Sequence, residues 1–399
     1  MKTVILIGDG MGDLPLAELG NRTPLQYAET PTMDYLATHG ELAMLKTVPD
    51  TLEPGSDVAN LSLLGYRPEK YYSGRAPLEA ASMGITLAAD ETAFRCNLVN
   101  LFERADGEII MADYSGGHIT TADARELIKG LKEQLDSDRF TFYPGISYRH
   151  LLVVKGEISL CTTPPHDHSG KPVTTFWGHY QKSPLAGLVV KAREILAAHS
   201  VNRGRAAAGK VPANGIWLWG EGKTPSMPTL HELYGLEGGL ISAVDLLKGI
   251  GVCAGLEIIN VPGATGYIDT NYQGKAAAAI KVLEKKDFVV VHVEGPDEAS
   301  HQGNLKDKIT AIEDFDAKIV KPVYDSLQQS GCDYRLAVAM DHYTPISTRT
   351  HDRHPVPLVI FSSDRTSSSG LAYTEADAES TGRSYDNGEE FFKRLMGQG

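Results

Sequence analysis

The sequence predicts an α/β protein: a mostly parallel sheet flanked by helices, with an inserted smaller α+β domain. Three observations predict it. Short continuous apolar runs recur near both ends of the chain, each stopped by Gly, Asp or Pro, as in strands buried on both faces. Helix-spaced segments separate the late runs, which is the alternation of a parallel sheet. In the middle, strand-like segments follow one another across a short turn, the mark of antiparallel pairing.

The elements follow in order. Residues 4–7 form a first strand that ends in Gly8-Asp9-Gly10. Pro54-Gly55 breaks the chain before a helix over 56–64. Residues 94–102 and 108–114 read as strands joined across Asp106-Gly107, 121–135 as a helix and 140–155 as further strand. A helix over 185–199 is expected to return the chain to the first domain. Residues 274–286, rich in Ala, Lys and Leu, read as a helix, and 288–293 (FVVVHV) as a strand ending at Glu294-Gly295-Pro296-Asp297. Ile309, Ile312, Phe315, Ile319 and Val323 give helical spacing across 305–329, with Pro322 kinking or interrupting it. Residues 336–340 form a strand ending at Asp341-His342, and 358–361 another after Pro355-Val356-Pro357. The serine-rich stretch 365–370 reads as a surface loop. The expected division is residues 1–67 plus 181–399 as one domain and 68–180 as the insert.

Composition narrows the function. The 399 residues carry 38 Lys and Arg against 51 Asp and Glu, a net charge of −13. That balance opposes nucleic-acid binding, which needs a basic footprint, but leaves room for a small anion held by a local cationic cluster. No run of 18 apolar residues suggests a membrane span. The opening apolar run is too short for a signal peptide and lacks a small-residue cleavage site. Cys96, Cys161, Cys253 and Cys332 are scattered with no C-x-x-C pair, which fits reduced thiols in a cytoplasmic protein. No heptad pattern appears, and the sequence assigns no oligomeric state.

The strongest chemical signal is a set of Asp and His residues at strand ends, where open α/β sheets place ligands. Asp9 follows the first strand, Asp297 and His301 follow 288–293, and Asp341 and His342 follow 336–340; His351 and His354 lie in the next loop. Singly, each is an ordinary turn former or solvated side chain. Together, three strand ends delivering carboxylate and imidazole to one rim suggest divalent metal. Asp297 and His301 are spaced i,i+4 and face one way on a helix. Ser56 opens the helix after Pro54-Gly55. It either caps that helix or offers its Oγ at the positive end, where a phosphoryl group is also stabilised.

Gly8-Asp9-Gly10-Met11-Gly12-Asp13, Gly55-Ser56-Asp57-Val58-Ala59-Asn60, Ser73-Gly74-Arg75-Ala76-Pro77-Leu78-Glu79 and Asp341-His342-x-Thr344-Pro345 together resemble the archaeal-type cofactor-independent phosphoglycerate mutases of the alkaline phosphatase superfamily. Tyr148-Arg149-His150-Leu151 and Trp217-Leu218-Trp219-Gly220 look like further signatures. The resemblance runs from residue 4 to about residue 361. It implies an alkaline-phosphatase-like sheet and two divalent metal ions, one taking Asp9, Ser56, Asp341 and His342, the other Asp297, His301 and His351. His351 is preferred to His354 because the family pattern is His-x-x-x-Pro-Val-Pro. Such ligands suit manganese or zinc better than calcium, with cobalt and magnesium also possible.

The resemblance further implies that Ser56 becomes phosphoserine as 3-phosphoglycerate and 2-phosphoglycerate interconvert, with no bisphosphoglycerate required. A phosphorylated carboxylate needs cationic recognition, and Arg75, Arg149, His150 and Lys223 are the candidates, with His118 a further one. Gly220-x-Gly222-Lys223 is not a P-loop, since it lacks the spacing and the following Ser/Thr. Pro165-His166-Asp167-His168 reads as an insert loop near the substrate rather than a metal site. Two domains closing on the substrate would exclude water. The competing readings are a homoserine kinase-like phosphotransferase, a phosphatase with water as acceptor, and a non-catalytic metal binder.

Overall fold

The computed structural model describes residues 1–398 apart from 157, 159 and 365–367; the serine-rich stretch therefore lies partly outside the described residues. Along the chain come strands β1 (Lys2–Gly8) and β2 (Glu41–Leu45) and helices α1 (Ser56–Leu63) and α2 (Arg75–Ser82). Next are β3 (Glu91–Glu103), β4 (Ile109–Asp113), α3 (Thr121–Leu135), β5 (Phe140–Ile146), β6 (Arg149–Lys155), α4 (Thr174–Gln181), α5 (Ala186–Ala198) and β7 (Gly215–Gly222). The last part holds β8 (Gly238–Ile241), β9 (Glu257–Ile258), α6 (Tyr272–Leu283), β10 (Phe288–Val293), α7 (Gly295–His301) and α8 (Leu305–Phe315). It closes with α9 (Lys321–Gln329), β11 (Tyr334–Ala339), β12 (Val356–Ser362) and β13 (Ser384–Tyr385).

The chain divides into two units, Met1–Tyr72 with Ser226–Gly399, and Ser73–Pro225. The first is built on an eight-stranded sheet ordered β13-β2-β12-β11-β1-β10-β8-β9. Only β12 runs against its neighbours, β11 and β2; the other ladders are parallel. Every residue of β10 and β11 is buried, as continuous apolar runs require when both faces are covered. Because β1 lies between β11 and β10, three strand ends meet at the middle of one rim. The segment expected as a helix over 305–329, kinked or interrupted at Pro322, is α8, a π-helical turn at Asp316–Val320, and α9. Pro322 has no N–H to give the Lys318 carbonyl, and the wider turn absorbs that loss.

The second unit carries a five-stranded antiparallel sheet, ordered β4-β3-β6-β5 with β7 also paired to β3. Gly107, at φ +86°, turns the chain between β3 and β4. Here the expected boundaries need correction: the unit ends at Pro225, not near residue 180. Helix α5 does not return the chain to the first unit. Its Leu188, Val189, Ala192 and Leu196 pack in one core with Leu127 and Ile128 of α3 and Phe94, Leu98 and Ile216 of the sheet. Each such fully buried aliphatic or aromatic side chain contributes about 1.5–3 kcal/mol, and β7 adds a full ladder along β3. No helix among the described residues is long and apolar enough to cross a membrane.

Candidate active site

The rim above β11, β1 and β10 gathers the expected carboxylates and imidazoles. Asp9 follows β1, and its backbone N–H donates to the Val293 carbonyl at the end of β10. Gly10 sits at φ +62°, where a Cβ would lie 2.6 Å from Asp297 Oδ1. Only glycine permits that approach. On α7, the i,i+4 spacing brings His301 Nε2 to 3.1 Å from Asp297 Oδ2. His351 Nε2 lies 3.0 Å from His301 Nε2 and 3.6 Å from Asp297 Oδ1. Asp341 Oδ1 accepts from the Gly10 N–H at 3.1 Å. His342 Nε2 lies 3.5 Å from Asp9 Oδ1, 3.4 Å from Asp341 Oδ2 and 3.2 Å from Ser56 Oγ. Ser56 is the first residue of α1, so its Oγ stands at that helix's N-terminus.

These donors form groups suited to cations: Asp297, His301 and His351 in one, Asp9, Asp297 and His342 in another, Asp9, His292 and Asp341 in a third. The hydrogen bonds say which atoms face inward. His301 Nδ1 meets the Arg349 carbonyl at 2.9 Å, so Nδ1 donates there and Nε2 is the nitrogen turned to the cluster, open to a cation once its proton is lost. Thr344 Oγ1 donates to Asp297 Oδ1 at 2.5 Å and meets His342 Nδ1 at 3.2 Å, which again leaves Nε2 as the open nitrogen. Asp9 Oδ2 meets His292 Nε2 at 3.0 Å, while Asp9 Oδ1, fully buried, has no hydrogen-bond partner. An orphaned carboxylate oxygen in a nest of two further buried carboxylates is costly unless a cation is bound. The residues present fit divalent metal.

Electrostatics agree. Burial, then the charges of Asp341, Asp297 and Glu294, raise the Asp9 carboxyl well above its ordinary value. Asp297 goes the other way: burial pushes it up, but hydrogen bonds from His301 and His351 outweigh this and hold it well below. For His301, burial is overcome by the hydrogen bond and charge of Asp297, lifting it to about 9. Burial lowers His342. These opposed shifts mark carboxylates and imidazoles that share protons where a cation would replace them.

Three site residues were given no role by the sequence reading, although two of them, Asn60 and Thr344, stand in its motifs. His292 faces Asp9 from inside β10, where it looks like one interruption of an apolar run; burial lowers it to about 3. Asn60 donates from Nδ2 to Asp341 Oδ2 at 2.9 Å and to the Ser56 carbonyl at 2.8 Å. Its spacing of four from Ser56 on a helix was the available signal. Thr344 is the third. His354 stands apart from the cluster, with Nδ1 2.6 Å from Asp352 Oδ1 and its ring stacked on Tyr343.

The second unit presents a cationic face. Arg149 lies opposite Asn97 on β3 and is exposed. Arg75, the first residue of α2, is half-buried. Arg95, which the sequence reading passed over, is buried, hydrogen-bonded to Glu79 and set 4.1 Å over the Trp219 ring. Arg75 and Arg149 are both near enough for their charges to act on Arg95. Tyr114 and Tyr148 make an aromatic cluster with His118, which is exposed and adopts φ +47°. His166 packs edge-on to Trp219 and near Tyr114. Lys223 is exposed just beyond β7. His150 is a correction. Strand alternation turns it to the face opposite Arg149, level with buried Cys96, where it is 2% exposed and Nδ1 accepts from the Gly145 N–H. It is placed in the core rather than on the cationic face.

Comparison with known proteins accords with this geometry. The family model described as 2,3-bisphosphoglycerate-independent phosphoglycerate mutase matches residues 37–202. A probable 2,3-bisphosphoglycerate-independent phosphoglycerate mutase of Geobacter sulfurreducens is 49% identical over 402 residues, covering 99% of this chain and 100% of its own. The corresponding Methanosarcina barkeri enzyme is 51% identical over 383 residues, covering 95% of each chain. Among solved structures, a Pyrococcus horikoshii protein matches with TM-score 0.81 at 28% identity, over 100% of this chain and 98% of that one. A cofactor-independent phosphoglycerate mutase from Thermoplasma acidophilum matches with TM-score 0.66 at 27% identity, over 100% of both. By these full-length relatives, the chain belongs to the 2,3-bisphosphoglycerate-independent phosphoglycerate mutase family.

Proposed function

We propose that the protein interconverts 3-phosphoglycerate and 2-phosphoglycerate through a phosphoserine at Ser56, with no bisphosphoglycerate. The observation that carries this is the placing of Ser56 Oγ 3.2 Å from His342 Nε2, at a helix N-terminus beside the buried Asp and His cluster. Asp9, Ser56, Asp341 and His342 would hold one divalent ion, and Asp297, His301 and His351 a second; manganese, zinc, cobalt and magnesium all suit these donors. Bound there, the ions would lower the pKa of the serine hydroxyl and neutralise phosphoryl charge.

The chain's own residues do the rest. Asn60 and the Gly10 N–H fix Asp341, and His292 fixes Asp9, so the donors are held before substrate arrives. Ser56 loses its proton and Oγ attacks the phosphorus of 3-phosphoglycerate; the glycerate 3-oxygen leaves and takes up a proton. The glycerate 2-hydroxyl then attacks the phosphoserine, giving 2-phosphoglycerate and restoring Ser56. Recognition of the carboxylate falls to the second unit, with Arg75 and Arg149 as principal contacts and Lys223 and His118 as further ones. A cytoplasmic setting fits the four free thiols.

The test is a metal-reconstituted assay of 3-phosphoglycerate conversion without bisphosphoglycerate, with inorganic phosphate followed in parallel. Formation of 2-phosphoglycerate with little free phosphate supports the reading. Phosphate release alone would make the protein a phosphatase. ATP-dependent phosphorylation of homoserine without isomerisation would move the substrate assignment.

A further inference from the structure

Within the second unit, Arg75 is fixed twice over. Its backbone is pinned: Gly74 sits at φ +120° with its would-be Cβ only 2.1 Å from the Glu221 carbonyl oxygen, and Ser73 Oγ donates to the Lys223 carbonyl at 2.6 Å. Its side chain meets Glu79, four residues on along α2, at 3.5 Å from Nε to Oε1. The other oxygen of the same carboxylate accepts from Arg95 Nε at 3.0 Å. Arg95 then lies across the Trp219 ring, whose Nε1 donates to Asn97 Oδ1 at 3.1 Å. The Gly220 backbone packs against both arginines, leaving room for a Cβ 3.5 Å from Arg75 Cβ and 3.6 Å from Arg95 Cδ.

Such an arrangement is a poor device for stability alone. A buried ion pair returns little once its desolvation is counted. Burial lowers Arg95 to about 10, against the pull of Glu79. Arg95 is only 6% exposed, too enclosed to be a principal ligand itself. What the pair does accomplish is geometric. One carboxylate faces two guanidinium groups: it accepts a hydrogen bond from the inner one, which lies over an indole, and is paired by charge with the outer one. The Arg75 and Arg149 charges both act on Arg95, so three guanidinium groups are gathered on this part of the second unit.

We propose that Glu79, with Arg95 behind it, is a positioning residue that presents the Arg75 guanidinium to the substrate's carboxylate; the inference rests on the mutase reading above. A preorganised fork binds its anion without first losing side-chain freedom, so the loss of Glu79 costs binding rather than chemistry.

The test is steady-state kinetics of the metal-loaded Glu79→Gln variant with 3-phosphoglycerate, alongside Arg75→Ala and the double variant. The KM is expected to rise about tenfold with kcat within about threefold, and Glu79→Gln is expected to add little once Arg75 is gone. A merely structural role would lower the melting temperature or kcat without that KM shift. Should Glu79→Gln fail to fold, the neutral pair Glu79→Gln with Arg95→Met removes the buried charges together, and the same KM rise is expected. An unchanged KM, or effects of Glu79 and Arg75 that multiply independently, would overturn the inference. Equilibrium binding of 3-phosphoglycerate separates the two readings. A wild type that binds and isomerises while Glu79→Gln behaves identically refutes only the positioning role. A wild type that does neither refutes the mutase reading.

Discussion

At the scale of single residues, the rim chemistry divides into groups that a cation would hold and groups that orient them. Ser56→Ala is expected to abolish isomerisation, by at least about a thousandfold, with the melting temperature little changed, since one exposed-side hydroxyl is lost and no core atom. Replacing His351 with Ala is expected to lower metal content and activity together. Replacing His354, which stacks on Tyr343 outside the cluster, is expected to spare both; elemental analysis of the two variants distinguishes them. Asp9, Asp297, His301, Asp341 and His342 could be picked from the sequence because each stands just past an apolar run. His292 could not, because a histidine inside a strand has no positional signal until its neighbour strand is known. His150 was misjudged for a related reason: its neighbour Arg149 points the opposite way, and only register shows which face is the core.

A residue away from the rim sets a pH dependence. Glu375 is 8% exposed; burial raises it to about 7 from 4.5, against hydrogen bonds from Thr23 and the Asp13 N–H. Its protonated form is the one the fold favours. The stability it contributes is therefore full below pH 4.5 and lost as pH rises through about 7, a loss of about 3 kcal/mol. Glu375→Gln is expected to flatten that part of the stability profile, as measured by urea unfolding from pH 5 to 8.

At the scale of elements, close backbone approaches decide more than propensity. Gly74→Ala forces a Cβ onto the Glu221 carbonyl at a φ that L residues avoid. It is expected to cost about 1–3 kcal/mol in denaturant unfolding and to raise the KM by displacing Arg75. Strand and helix positions were readable where the apolar period was clean, as in β10 and α3. The π-helical turn before Pro322 was not, since the sequence shows that an interruption is needed but not its form. Helix α5 was readable as a helix but not as a member of the second unit. An apolar stripe declares that a face is buried, and says nothing of which sheet buries it.

At the scale of the whole molecule, three buried carboxylates on one rim would tie metal binding to folding. Chelation is expected to lower the melting temperature and abolish activity, and metal to restore both; at 100 times Kd a single bound ion adds about 2.7 kcal/mol. The general plan was readable because the parallel sheet writes its strands as near-continuous apolar runs. The end of the second unit was not, because β7 joins its sheet from more than a hundred residues beyond β3, a pairing no local pattern records. The most direct measurement is rapid-quench labelling of the metal-loaded enzyme with 3-phosphoglycerate carrying radioactive phosphate, followed by peptide mapping. Label on the peptide that contains Ser56, appearing and decaying at rates that match turnover, is the expected result. Isomerisation that proceeds at full rate with that peptide unlabelled would contradict the phosphoserine route.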